Sequence, residues 1–206
     1  MATAGPHRPR SRVERREATR AALHAATLAS LVELGYAATT TRAVAERAGV
    51  SQGALQHHYP TKAALVDAAL LELAEQVKQA VIANPPPAPS ERERVALLVD
   101  YLWELFHQPH SRAIMEVLAA ARTDPEIAAG ALRVLERFDE IAQSIAAAVV
   151  PGLATHPQAP DWLRITIATL RGCILVDNLA NKTTAVPPWP VLRAHILRSL
   201  DALIDA

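Results

Sequence analysis

The sequence predicts an all-α protein of about nine helices. Three observations carry that expectation. Apolar residues recur three and four positions apart through long segments, and no segment alternates strictly as a half-buried strand would. Ala and Leu dominate the apolar set, and both favour helix. Ser, Thr or Asp stands before most of these segments and Gly or Pro after them, which is how helix ends are marked.

Taken in order, residues 1–11 hold Gly5, Pro6 and Pro9 and are expected to form a mobile basic arm. Helical patterning begins near Arg12, with Leu23, Leu28, Leu31, Val32 and Leu34 as its apolar stripe and Gly35 as its stop. One of Thr39, Thr40 and Thr41 caps a short helix over 42–48, whose inner face is Val44, Ala45 and Ala48. Gly49 ends it, Val50 turns inward, and Ser51 caps a second short helix over 52–57 that Pro60 closes. Thr61 caps a long helix to about Ala83, with Leu65, Val66, Ala69, Leu70, Leu73 and Val77 on its buried side. The proline-rich stretch 84–89 is a loop.

Ser90 and Glu93 form a capping box that opens a helix to about His107, where Pro109 intervenes. A helix over 111–122 follows, and Asp124-Pro125 starts another that runs to about Val150. Pro151-Gly152 ends that one, and a loop through Pro157 and Pro160 leads to Asp161, the cap of a helix from Trp162 to about Ala180. Pro187, Pro188 and Pro190 bracket the start of the last helix, which ends near Ile204.

Composition bounds the function. Half of the 206 residues are hydrophobic, which supports a sizeable core and excludes a largely disordered chain. No run of about 18 apolar residues suggests a membrane span, and the Arg- and Pro-rich start lacks the apolar region of a secretory signal. The single cysteine, Cys173, forms no internal disulfide and supplies no zinc site alone, which fits a reducing cytoplasm. The net charge of zero hides an asymmetry. Residues 1–62 carry nine Lys/Arg and four acids, 9 − 4 = +5, and residues 63–206 carry 12 and 17, 12 − 17 = −5. A basic end on an acidic body is suited to a polyanion, although a solvated basic tail gives the same arithmetic.

Two short helices joined by Gly49-Val50-Ser51 make a helix-turn-helix pattern. Such a pair lets its second helix enter a major groove while the first crosses the backbone. The small or polar Gln52, Gly53 and Ala54 suit a recognition helix, whereas an ordinary tight corner has the same turn. The run from Gly35 to Leu55, with Thr39-Thr40-Thr41-Arg42 and Ala48-Gly49-Val50-Ser51-Gln52-Gly53-Ala54-Leu55 inside it, continues through His58-Tyr59 to Thr61-Lys62 and Leu65. Over about residues 15–66 this resembles the DNA-binding domain of TetR-type transcriptional regulators.

The resemblance implies roles. Thr40 and Thr41 contact a phosphate at the start of their helix, where the helix dipole favours an anion. Arg42 reads a base edge, with guanine the partner of its fork, and Gln52 is the second reader, suited to adenine. Ser51 frees the recognition helix, Gly53 and Ala54 lie on the groove floor, and Ala54 touches a thymine methyl. His57 lies beside them; His58 and Lys62 match phosphate-contacting positions. Gln56 stands where the family usually has a phosphate-binding Tyr, and Tyr59 replaces a common Phe. The adjacent His57 and His58 do not face one another on a helix, so no metal site is expected.

Residues 12–62 are thus expected to be the DNA-binding domain, and 63–206 a helical domain for ligand binding and dimerisation. Pocket candidates are Trp103, Phe106, His107, Met115, Glu116, Phe138, Arg171, Cys173, Asp177 and Asn178, each of which also has an ordinary reading as core or surface. Ile165, Thr169, Gly172 and Val176, with Leu192, Ile196, Leu200 and Leu203, recur on two helix faces and are expected to pair with a second copy, unless they form the monomer's own core. No nucleophile elbow, P-loop, dinucleotide turn or zinc helix is present, so neither enzyme chemistry nor a cofactor is expected. The function expected is a homodimeric cytoplasmic regulator that binds a palindromic double-stranded operator, a repressor released by a small-molecule effector. A ligand-binding helical protein with a vestigial helix-turn-helix, or an activator of the same fold, is the alternative.

Overall fold

The structure, a computed structural model, describes residues 11–179 and 185–204. These residues form ten helices and no strand: α1 (Arg12–Ala38), α2 (Thr41–Ala48), α3 (Gln52–His58), α4 (Lys62–Ala83), α5 (Glu91–His107), α6 (Pro109–Ala121), α7 (Pro125–Val149), α8 (Pro151–Ala154), α9 (Ala159–Leu179) and α10 (Trp189–Ile204). The expected basic arm, with Arg8 and Arg10, lies outside the described residues apart from Ser11, the N-cap of α1.

Local signals explain most boundaries. Ser11, Thr40, Ser51, Thr61 and Ser90 each accept a backbone N–H three residues on, leaving fewer orphan donors at their helix starts. Gly35 adopts φ 75° and ψ 172°, which breaks α1 three residues before its last turn ends. Gly49 takes the left-handed conformation at φ 68° and terminates α2.

Three features differ from expectation. α5 ends at His107 before Pro109, as expected, but α6 starts at Pro109 itself rather than at Ser111, because its missing N–H costs nothing at a first helical position. The stretch after Val149 is not plain loop but the four-residue α8, which raises the expected nine helices to ten. Its first amides are satisfied from afar: the Glu91 carboxylate on α5 accepts from Gly152 N and Leu153 N, both at 3.1 Å. α9 then starts at Ala159 rather than Trp162.

Three apolar clusters run along the molecule. The first joins Leu23 and Ala26 of α1 to Val44, Ala45, Leu55, Tyr59 and Leu65. The second joins Leu31 of α1 and Val66 and Leu70 of α4 to Ala113, Val117, Ile127 and Val134 on α6 and α7. The third packs Val81, Val95, Val99, Leu170, Leu192, Ile196, Leu200 and Leu203 together. α4 contributes to all three. Leu65 belongs to the N-terminal cluster, so the packing boundary passes through α4 rather than at its start. α1 is long and apolar enough to cross a membrane, but its Leu23, Ala26, Thr27, Ser30 and Leu31 face is consumed by the first two clusters.

The third cluster corrects one expectation. Leu192, Ile196, Leu200 and Leu203 do not face a partner; all four are buried in the monomer's own core, because that face of α10 turns onto α5 and α9. On α9 the outcome differs by residue: Ile165, Thr169 and Gly172 are exposed and Val176 is half-buried.

Candidate DNA interface and effector cavity

α2 and α3 are fixed by their ends and by one small core. Val44, Ala45 and Leu55 are almost wholly shielded from solvent and lock the pair onto α1. Tyr59, the C-cap of α3, shares a 2.6 Å hydrogen bond between its hydroxyl and His24 Nε2 on α1. Burial pushes the His24 imidazole below its ordinary pKa, and nearby Arg20 adds to this against the opposing charge of Glu72. The neutral ring that this favours is the form able to accept the tyrosine proton. Nothing in the sequence pattern singled out His24, because its partner stands 35 residues away.

The expected DNA contacts on α2 and α3 differ in exposure. Thr40, Arg42, Ser51, Gly53, Gln56 and His57 are exposed, and Thr41, Gln52, Ala54 and His58 are half-buried. Arg42 projects into solvent and makes only an exposed 3.1 Å pair with Glu46. Thr40 and Ser51 are occupied as caps, accepting from Ala43 N at 3.2 Å and Ala54 N at 3.1 Å. Gln52 lies back on α2: its Nε2 donates to Thr41 Oγ1 at 3.2 Å, and its Oε1 is buried without a donor among the described residues. The space around Gly53 is empty, since a Cβ there would meet nothing within 4 Å. No contact among the described residues calls for a glycine there. His57 and His58 stand edge to face at 5.7 Å, and among the described residues no group of metal-ligating side chains converges.

Lys62 is placed differently from the expectation of a phosphate contact. Its ammonium donates to Tyr36 O at 2.7 Å and Thr39 O at 3.0 Å and lies 4.1 Å from the Tyr36 ring centroid. It closes the C-terminus of α1, where a cation meets the negative end of the helix dipole. Burial lowers its pKa.

Comparison with known proteins identifies this arrangement. Residues 23–69 match the family model of bacterial regulatory proteins of the tetR family. The chain is 31% identical over 165 residues to the HTH-type transcriptional regulator CymR of Pseudomonas putida, covering 79% of this chain and 81% of that one. The chain belongs to the TetR family of transcriptional regulators. Its fold is similar to that of a TetR-family regulator from Mesorhizobium loti, with a TM-score of 0.68 at 17% identity over 93% of this chain and 97% of that one. It is also similar to the regulator FadR of Bacillus subtilis, solved with stearoyl-CoA, with a TM-score of 0.63 at 16% identity over 87% and 96% of the two chains.

In this TetR-family chain two cavities lie in the body. The larger, about 510 Å³, lies among α4, α5, α7, α8 and α9, with Tyr101, Glu140, Gln143, Ser144 and Thr166 as its polar lining. The smaller, about 130 Å³, is lined from α4, α5, α6, α7 and α9 and adjoins the first through Val77, Leu102, Ala142 and Ile145. Of the pocket candidates, Phe106, Phe138 and Arg171 line the smaller cavity.

The other candidates sit elsewhere. Trp103 stacks on Trp189 at 4.5 Å and 12°, and the exposed His107 donates from Nδ1 to Trp103 O at 2.8 Å. Met115, Cys173 and Asp177 are half-buried and line neither cavity. Burial, reinforced by the charge of Asp177, raises the Cys173 pKa and keeps the thiol protonated. The Asn178 side chain lies outside what the structure describes. Glu116 faces away from both cavities: its Oε2 accepts from Tyr36 N at 3.0 Å, beside Gly35, where a Cβ would come within 2.4 Å of that oxygen. The glycine that breaks α1 thus also makes room for a carboxylate from α6. That link spans 80 residues and carries no local sequence signal.

Proposed function

We propose that this regulator is a homodimeric, cytoplasmic repressor that binds a palindromic operator through α2 and α3 and leaves it when a small molecule occupies the body cavity. One observation supports this most directly. α4 begins with Lys62 on the end of α1 and carries Leu73, Ala74 and Val77 into the wall of the smaller cavity. A displacement of its far end by a ligand therefore acts on the element that seats α1. α6 offers a second link, with His110, Ser111 and Ile114 at the cavity and Glu116 on Tyr36 N.

Binding of a two-fold operator requires recognition helices one DNA turn apart, about 34–36 Å, or a multiple of it. A ligand that prefers another spacing lowers DNA affinity by its differential binding to the two states. The second copy meets the exposed α9 face of Ile165, Thr169 and Gly172, together with Ala168 and Leu175. A Cβ on Gly172 would meet nothing within 4 Å in the monomer, which leaves close approach of a partner helix as its use. Arg42 and Gln52 read bases, and Thr40, Thr41, Gln56 and His58 hold phosphates around them.

The test is fluorescence anisotropy with palindromic fragments from the DNA flanking the protein's own gene. Salt-dependent binding at least about 10³-fold tighter than to random DNA, with sedimentation as a dimer, is the expected result. Equal affinity for all sequences would leave a vestigial helix-turn-helix on a ligand-binding body. Gly172→Arg is expected to yield monomers; an intact dimer would place the interface on another face.

A further inference from the structure

The smaller cavity holds a charge that the protein leaves unanswered. Arg171, in the middle of α9, projects into a chamber otherwise walled largely by Phe106, Ile114, Phe138, Ile141 and Ile167. Its guanidinium makes no hydrogen bond or ion pair among the described residues; its one specific contact is the Phe106 ring, 5.9 Å from the centroid. Asp139 is the acid whose charge it feels, but that carboxylate is engaged elsewhere. Arg164 donates to both its oxygens, at 3.1 to 3.3 Å, and Gln143 Nε2 donates at 2.7 Å. Partial burial pushes the Arg171 pKa down, and the charge of Asp139 offsets that only in part. The other arginines of the body for which contacts are described are answered: Arg92 by Asp201, Arg133 by Asp67, Arg137 by Glu75 and Arg193 by Asp100.

We propose that the cavity takes a small hydrophobic carboxylate, its carboxylate on the Arg171 guanidinium and its apolar body between Phe106, Phe138, Ile114 and Ile167. A planar guanidinium offers two parallel N–H donors that match a carboxylate, and such a pair is strongest where water is excluded. A half-buried cation without a hydrogen-bonded partner is costly to the protein alone and is relieved by an anion. Size agrees: about 130 Å³ is close to the ~150 Å³ apolar cavity that admits benzene. One ring or a short branched chain fits beside Arg171. A longer chain continues past Val77, Leu102, Ala142 and Ile145 into the larger cavity.

This rests on the body cavity being the effector site, so the test measures binding to the full chain without DNA. At pH 7.5, benzoate, 2-naphthoate and octanoate are titrated by calorimetry, each against its uncharged primary amide. At least one carboxylate is expected to bind about 10- to 100-fold more tightly than its amide, the range for a charge-assisted hydrogen-bonded pair. Arg171→Gln is expected to erase that preference while leaving amide binding within about threefold. Removing an unanswered charge is also expected to leave the ligand-free Tm unchanged or higher. Ile167→Trp, which fills the chamber, is expected to abolish binding of acid and amide alike.

The proposal is overturned if no carboxylate binds, if acid and amide bind equally, if the preference survives Arg171→Gln, or if that variant loses stability as a structural residue would. Should carboxylates bind through Arg171 yet leave operator affinity unchanged, the ligand class stands and the release mechanism fails.

Discussion

In the N-terminal headpiece, α1, α2 and α3 each begin with a side-chain cap, and their core is sealed by Val44, Leu55 and the His24–Tyr59 hydrogen bond. In the body, α6 and α8 begin at prolines without a side-chain cap, and two adjoining cavities lie among α4, α5, α7 and α9. The headpiece must present the same surface to DNA each time, and two short, locally capped helices locked onto α1 by a small apolar core do that. In the proposed function the body must admit a molecule and change shape, which agrees with its unfilled space and its contacts over long sequence distances. The two meet at Gly35–Lys62, where Glu116 from α6 and Lys62 from α4 both grip the end of α1.

The contrast is sharpest in core deletions. Leu55→Ala in the headpiece is expected to cost about 2–5 kcal/mol and to abolish DNA binding, because a close-packed site cannot collapse around the loss. Ile114→Ala beside the existing cavity is expected to cost less, since one side of that residue already lacks neighbours. Urea denaturation of the two variants makes the comparison, and equal losses would show the body to be as tightly packed as the headpiece.

Within the headpiece, reading and holding are separable. Arg42→Ala and Gln52→Ala are each expected to cost about 1–3 kcal/mol on the operator, with random DNA affected far less. Gln52 also bridges to Thr41, so its variant tests whether that amide leaves α2 to read a base; an equal loss on all sequences would confine it to holding the two helices. Lys62→Met leaves the Tyr36 and Thr39 carbonyls without their donor and is expected to lower stability by about 1–3 kcal/mol. Its log–log salt slope for DNA binding should be unchanged; a slope shallower by about one unit would return Lys62 to the phosphates.

At the junction, Glu116→Ala removes the acceptor for Tyr36 N and is expected to cost about 0.5–1.5 kcal/mol. If α6 transmits the signal, this variant holds the operator but responds less to ligand, a difference read by anisotropy with and without effector. The smallest effect concerns pH. Because the folded protein holds His24 below its ordinary pKa, protons bind more readily to the unfolded chain. The stability this residue contributes is full above about pH 6.5 and declines as pH falls through the depressed value. Denaturation midpoints at pH 8 and 5.5 measure it, and His24→Phe should flatten that part of the profile.

How far the chain could be read in advance follows the same division. Thr40, Gly49, Ser51 and Thr61 announce the headpiece because a cap or a left-handed glycine acts within three or four residues of itself. α8 was not legible, since Glu91 caps it from 61 residues away. The stripe of Leu192, Ile196, Leu200 and Leu203 was seen as apolar, but periodicity does not say whether such a stripe faces its own chain or another. α9 shows the same ambiguity from the other side, with Ile165 exposed and Leu170 buried on one helix.

The sequence by itself determined the helical class and the helix-turn-helix with its family, because those depend on backbone conformation, capping and local spacing. Only the tertiary structure decided that Lys62 and Glu116 clasp α1, that α10 turns its leucines inward, and that of ten pocket candidates Phe106, Phe138 and Arg171 converge on one cavity. The reason is physical: a side chain's chemistry is written at its own position, but whether its charge is answered depends on which distant residue the packing brings beside it. Arg164 takes Asp139, and Arg171 is left facing the cavity.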